Sequence, residues 1–153
     1  MSTQPQAALA SLCAEIERLL PSFLEDPVDL AQSGGNAAYL LIGPDGTMAG
    51  RILGPDRARG LCFFTYAFRK VSQVARTGYP TGRFEELVYA GQLDETQFGL
   101  NRPDFFGWEG GVALLLEDGS LVAAGFSGFR GVKDVEILEK AAAAVSGVRV
   151  RRC

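Results

Sequence analysis

Two apolar runs that each fold back on themselves constrain this chain more than any other feature. Ala37 to Ile42 is apolar, Gly43-Pro44-Asp45-Gly46 carries turn chemistry, and Thr47 to Leu53 returns. The pattern recurs with Val112 to Leu116, the turn Glu117-Asp118-Gly119, and Leu121 to Phe126. Proline presets φ and glycine supplies positive φ, so both links are tight enough to close a β-hairpin. Helical segments stand between and around the hairpins. Nothing in the order has the strand-helix-strand alternation that a parallel sheet requires. A last apolar run, Val148 to Val150, can add a fifth strand. The expectation is one α+β domain over residues 1–153, an antiparallel sheet with helices against it.

The helices follow from period and punctuation. Leu9, Leu12, Cys13, Ile16, Leu19 and Leu20 recur at helical spacing, and Pro21 is expected to end or kink that helix because it lacks an N–H. A shorter helical piece follows to about Ala31, then the loop Ser33-Gly34-Gly35-Asn36. Gly54-Pro55-Asp56 opens a long helix running to Thr77, with a stripe of Leu61, Phe64, Phe68, Val71 and Ala75 widened by Phe63, Tyr66, Ala67 and Val74. So broad an apolar surface calls for burial on two sides, the sheet on one and a neighbouring subunit on the other. After Gly78-Tyr79-Pro80, Thr81 is expected to cap another helix that ends at Gly91. Gln92 to Trp108, with Pro103 inside, reads as a long covering loop with a helical turn, the kind of loop that often covers a site. Val132 to Val145 is the last helix, stopped by Gly147.

Composition narrows function chiefly by exclusion. The chain contains no histidine, which removes the Ser-His and Cys-His nucleophile pairs, the H-E-x-x-H zinc site and a proximal haem histidine. Any chemistry would come from carboxylates, Lys, Tyr or Cys. Net charge is −3 with both signs interspersed, without the basic footprint of a nucleic-acid binder. Met1-Ser2-Thr3-Gln4-Pro5 is a polar start unlike a secretory signal, and no apolar run approaches the roughly 20 residues of a membrane span. Cys13, Cys62 and Cys153 are an odd number without C-x-x-C spacing, which fits a reducing cytoplasm and no disulfide or zinc framework.

An ordered set of residues from the long helix onward carries a resemblance. Arg69-Lys70 stand on that helix, Phe98-Gly99-Leu100 and Asp104-Phe105 in the covering loop, Gly110-Gly111 before the third strand, Ser127-Gly128 after the fourth, and Asp134 seven positions later. In this order the chain resembles the GlcG/HbpS-like haem-binding family and an uncharacterised sister family, most strongly from Leu87 to Ala144. The resemblance implies a profilin-like fold, a five-stranded antiparallel sheet sandwiched between helices, and a cytoplasmic homo-oligomer. It also implies haem or a related tetrapyrrole as the cofactor class to consider. Phe126 stands where many relatives have valine before Ser-Gly.

The site expected from these residues lies where the Gly110-Gly111 and Ser127-Gly128 loops approach Arg69 and Lys70, with Arg130 and Asp134 beside them. Gly125 to Gly131 links a strand to a helix, where backbone N–H groups can hold an anion, though its spacing is not G-x-G-x-x-G. The same glycines could serve only the tight turn, with Asp134 satisfying first-turn donors. Gly110-Gly111 could admit a planar ligand or mark a close backbone crossing. Arg69 and Lys70 could meet ligand carboxylates or form a structural salt bridge. Phe63, Phe64, Tyr66 and Phe68 read as core or subunit interface. With no histidine, a haem iron would need Tyr66, Tyr79 or Cys62. Three functions stay open: a binder of a flat anionic molecule, a non-catalytic oligomeric scaffold, and an enzyme on small carboxylated metabolites using Arg69, Lys70 and Asp134.

Overall fold

A computed structural model describes residues 4–102 and 104–153; Met1–Thr3 and Pro103, and the sequence readings that fall on them, lie outside the described residues. The element order is α1 (Gln4–Phe23), α2 (Pro27–Ser33), β1 (Ala37–Ile42), β2 (Met48–Leu53), α3 (Arg57–Thr77), α4 (Thr81–Tyr89), a 3₁₀ turn (Glu95–Phe98), β3 (Gly111–Leu115), β4 (Leu121–Ser127), α5 (Gly131–Ala144) and β5 (Arg149–Val150). The strands form one antiparallel sheet in the order β2-β1-β4-β3-β5. The expected α+β class and both hairpins are present. The first hairpin closes where the Gly43 N–H donates to Thr47 O at 2.8 Å and Asp45 accepts from the Thr47 N–H at 3.0 Å.

Helices cover both faces of the sheet. On one, α1 and α5 bury Leu12, Ile16, Ile137 and Leu138 against Tyr39, Leu41, Leu114 and Phe126. On the other, α3 lays Val71 and Val74 over Leu40, Ala113 and Ala123. Phe126 and Phe129 stand 5.2 Å apart in the first core, so the aromatic departure before Ser-Gly fills the interior.

Three local expectations differ from what is observed. Pro21 lies inside α1, which continues to Phe23, because a proline this near the end forfeits only one ladder bond. Pro80 takes the cap position of α4, and Thr81 turns inward: its hydroxyl donates to Trp108 O at 2.7 Å and accepts from the Gly111 N–H at 3.2 Å.

The third concerns the seated face of α3. Gly60, Ala67, Lys70, Val71, Gln73, Val74 and Thr77 are buried, whereas Leu61 and Phe68 from the anticipated stripe are 48% and 49% exposed. The cause is close approach. A Cβ on Gly125 of β4 would come within 2.5 Å of Ala67 O and 2.9 Å of Val71 N, so helix and strand backbones meet where no large side chain fits.

Candidate ligand-binding cleft

Side-chain alternation along β4 sends Phe126 into the α1/α5 core and Ser127 to the α3 side. Phe63, Tyr66 and Lys70 occur at helical spacing on α3 and come to lie above the end of β4. Trp108 and Glu109 of the covering loop and the Ser127–Gly131 segment close the remaining sides. The result is a cleft of about 460 Å³ lined by these residues and Asp134. That lies in the roughly 300–1,000 Å³ range of small-molecule sites.

At its floor is a buried ion pair. Lys70 Nζ lies 3.1 Å from Asp134 Oδ2, and both side chains are 3% exposed. Lys70 also donates to Phe126 O at 2.9 Å, and Asp134 Oδ1 accepts from the Phe129 N–H at 2.9 Å. Asp134 thus holds the loop just before α5 rather than the helix's own first turn. Burial pushes the Asp134 carboxyl up to about 7 against the opposing pull of Lys70. Burial lowers Lys70 in turn, against the pull of Asp134. Two groups in such contact titrate as a unit.

The other expected site residues divide. Ser127 and Gly128 line the cleft. Arg130 lines it too, but its guanidinium turns to α2. Its Nε and Nη2 donate to the two oxygens of buried Asp29 at 3.0 and 2.8 Å, and Nη2 also reaches Asp26 at 2.6 Å. That contact lowers Asp29 and raises Arg130. Arg69 does not reach the cleft: its guanidinium stacks 4.7 Å from the Phe106 ring and reaches Asp104 O at 3.5 Å, pinning the covering loop. Gln73 holds the same loop through both atoms of its amide, to Phe106 O at 2.8 Å and from the Phe106 N–H at 2.6 Å. Gly110, at φ +119, makes room for the pair, since a Cβ there would lie 2.6 Å from Lys70 Nζ and 2.6 Å from Phe126 O. Gly111 packs on Thr81 and Val74, away from the cleft.

Of the oxygen and sulfur candidates, Tyr66 lines the cleft, with its ring 5.6 Å from Trp108. Tyr79 belongs to a separate aromatic cluster with Phe84 and Phe98, and Cys62 is exposed on α3. Trp108 and Glu109 escaped the sequence reading as individual residues. Their only signal was the length of the loop that carries them. Among the described residues, no group of three or more cysteine or acidic side chains is placed to hold a metal ion, and no helix is long and apolar enough to cross a membrane.

No family model matches the sequence, and no curated protein matches it significantly. Solved structures do. PduOC in its haem complex aligns with TM-score 0.60 at 19% identity, over 90% of this chain and 92% of that one. Streptomyces reticuli HbpS, solved as a double mutant, aligns at 0.62 and 15%, over 92% and 85%. The Klebsiella pneumoniae protein ORFY, of the DUF336 type, aligns at 0.63 and 16%, over 92% and 90%. At such identities the likeness is one of architecture, and the fold of this chain is that of the GlcG/HbpS-like proteins.

Proposed function

We propose that this chain is a ligand-binding protein whose cleft between α3 and the β4–α5 loop takes a flat, largely apolar molecule bearing an acidic group. One observation carries this: the aromatic rings of Tyr66 and Trp108 line the same cleft as the polar Ser127–Gly131 segment that leads into α5. The buried Lys70–Asp134 pair there is engaged with itself, so neither group is free to act as a general base or acid. Arg69 points away from Lys70 and Asp134, so the enzyme reading loses one of its three residues.

Haem is the first ligand to test because PduOC of the same fold was solved with it. Phe63, Tyr66 and Trp108 would cover the ring, and the Tyr66 phenol offers an oxygen where no histidine exists. Bound haem would supply an iron centre with weak, oxygen-based ligation. The half-exposed Leu61 and Phe68 on the outer face of α3 support a homo-oligomer, since such patches mark interaction surfaces. The same face favours the scaffold reading as runner-up. A cytoplasmic setting agrees with the three cysteines being free.

Native mass spectrometry of freshly purified protein, followed by haem titration, tests the proposal. A multimer retaining a small molecule is expected, with a haem spectrum unlike that of a His-ligated globin. No spectral change would remove haem. A protein that retains nothing and binds no flat acid would leave only the scaffold.

A further inference from the structure

Among the described residues, the cations that line the cleft are paired, Lys70 with Asp134 and Arg130 with Asp26 and Asp29. The donors that remain free are elsewhere. At the start of α5, Lys133 N donates to Arg130 O and Arg130 N to Asp29, but among the described residues the N–H groups of Gly131 and Val132 have no acceptor. No side chain caps this 14-residue helix. Beside it, Ser127 is only 6% exposed, faces the cleft, and its hydroxyl makes no hydrogen bond to any described residue. Because no described side-chain polar atom is both fully buried and without a partner, this hydroxyl keeps access to the cleft and is free to bond what enters it.

The space next to these donors is held by Glu109. A Cβ built on Gly131 would lie 3.1 Å from Glu109 Oε2, so this exposed carboxylate rests against the positive end of α5 without bonding to it. We infer that the acidic group of the ligand is received by the Ser127 hydroxyl and the Gly131 and Val132 N–H groups, in competition with the Glu109 carboxylate. The inference rests on the ligand-binding reading above and specifies its polar end. The group recognised is an oxyanion on an aromatic body, a carboxylate or a phosphate. Glu109 sets the preference between them: a dianion meets about twice the repulsion of a monoanion at the same distance.

The test is titration of the ¹⁵N-labelled full chain with benzoate, phenyl phosphate and neutral benzamide, following residue-resolved amide shifts. Benzoate should move the Gly131 and Val132 signals, and benzamide should not. Ser127→Ala should weaken benzoate about tenfold, as expected for one hydrogen bond to a charged group, with the melting temperature unchanged. Glu109→Gln should tighten both anions, phenyl phosphate more than benzoate, whereas Arg18→Ala, on the surface of α1 beside Glu15, should leave both unchanged. Saturating shifts around Trp108 with Gly131 and Val132 unmoved would overturn the subsite while the cleft stood. Haem retention with no response to benzoate would do the same. Weaker benzoate binding in Glu109→Gln would overturn the part given to Glu109. Failure of every probe, haem included, would overturn the ligand-binding reading and this inference with it.

Discussion

Replacing Lys70 by Met keeps the length of the side chain and removes its charge, which isolates what the buried pair does. Asp134 would then sit 3% exposed with only the Phe129 N–H for company. Breaking a buried pair from one side costs about 3–5 kcal/mol, because the remaining charge is uncompensated. In a chain of 153 residues, where 1 kcal/mol moves the melting temperature by roughly 2–4 °C, a drop of roughly 10 °C at pH 8 is expected. The deficit should depend on pH with a definite sign. Burial already raises Asp134 to about 7 from an ordinary 3.8, and losing Lys70 raises it further. A carboxyl raised in the folded state contributes stability that is complete below about pH 4 and is lost as pH climbs through the folded value. At pH 5 Asp134 is protonated in both proteins, and the deficit should shrink to the lost bond between Lys70 and Phe126 O. Adding Asp134→Asn removes the stranded charge and keeps an acceptor for the Phe129 N–H, so the double variant should recover at least half of the loss at pH 8. Thermal melts of the three proteins between pH 5 and 8 provide the measurement. A deficit that is flat across that range, or a double variant no more stable than Lys70→Met, would refute the reasoning.

Gly125→Ala should cost about 1–3 kcal/mol or more in denaturant unfolding, because its Cβ meets the Ala67 and Val71 backbone rather than a side chain that can move. A neutral result would show that α3 can lift from β4. Arg130→Ala should lower the melting temperature near neutrality, and the difference should shrink only as pH falls below about 4 toward the lowered value of Asp29. The reason is that the lowered Asp29 contributes in full above its ordinary 3.8 and loses that contribution progressively below it, as pH falls through its lowered folded value. An unchanged melt at pH 7 would mean that α2 docks without it. Joint substitution of Leu61 and Phe68 by Glu should convert an oligomer to monomers in sedimentation while leaving the fold intact, as judged by circular dichroism.

The sheet was legible because hairpins are local. Each pairs neighbours across a turn whose chemistry is written in three or four residues, and the observed strands begin and end within a residue of the apolar runs. The seated face of α3 was not legible, because it depends on a strand far along the chain. Ala123 and Gly125, which alternate onto the α3 face, let the helix backbone at Ala67 and Val71 approach and exclude large residues there. Hydrophobic periodicity therefore marked Leu61 and Phe68, which are half exposed, and undervalued Lys70 and Gln73, which are buried. Periodicity ranks residues by their own apolarity; close packing ranks them by how near the partner comes.

The same distinction runs through the cleft. Sequence reasoning put positive charge at the heart of the site, since Arg69, Lys70 and Arg130 stood near the flexible glycines. Each cation instead meets an internal partner that sequence separation concealed: Phe106 and Asp104 for Arg69, Asp134 for Lys70, and Asp26 with Asp29 for Arg130. A formal charge that is already neutralised attracts little, and a guanidinium bonded to two carboxylates would have to break those bonds before it could bind a ligand. Uncharged donors without acceptors carry no such cost. On the proposed reading, recognition in this cleft would fall to the Ser127 hydroxyl and the first turn of α5, while the ion pairs hold the walls in place. Because the field at a helix end fades within one turn, a ligand should be discriminated here by where its acidic group lies relative to its ring more than by total charge.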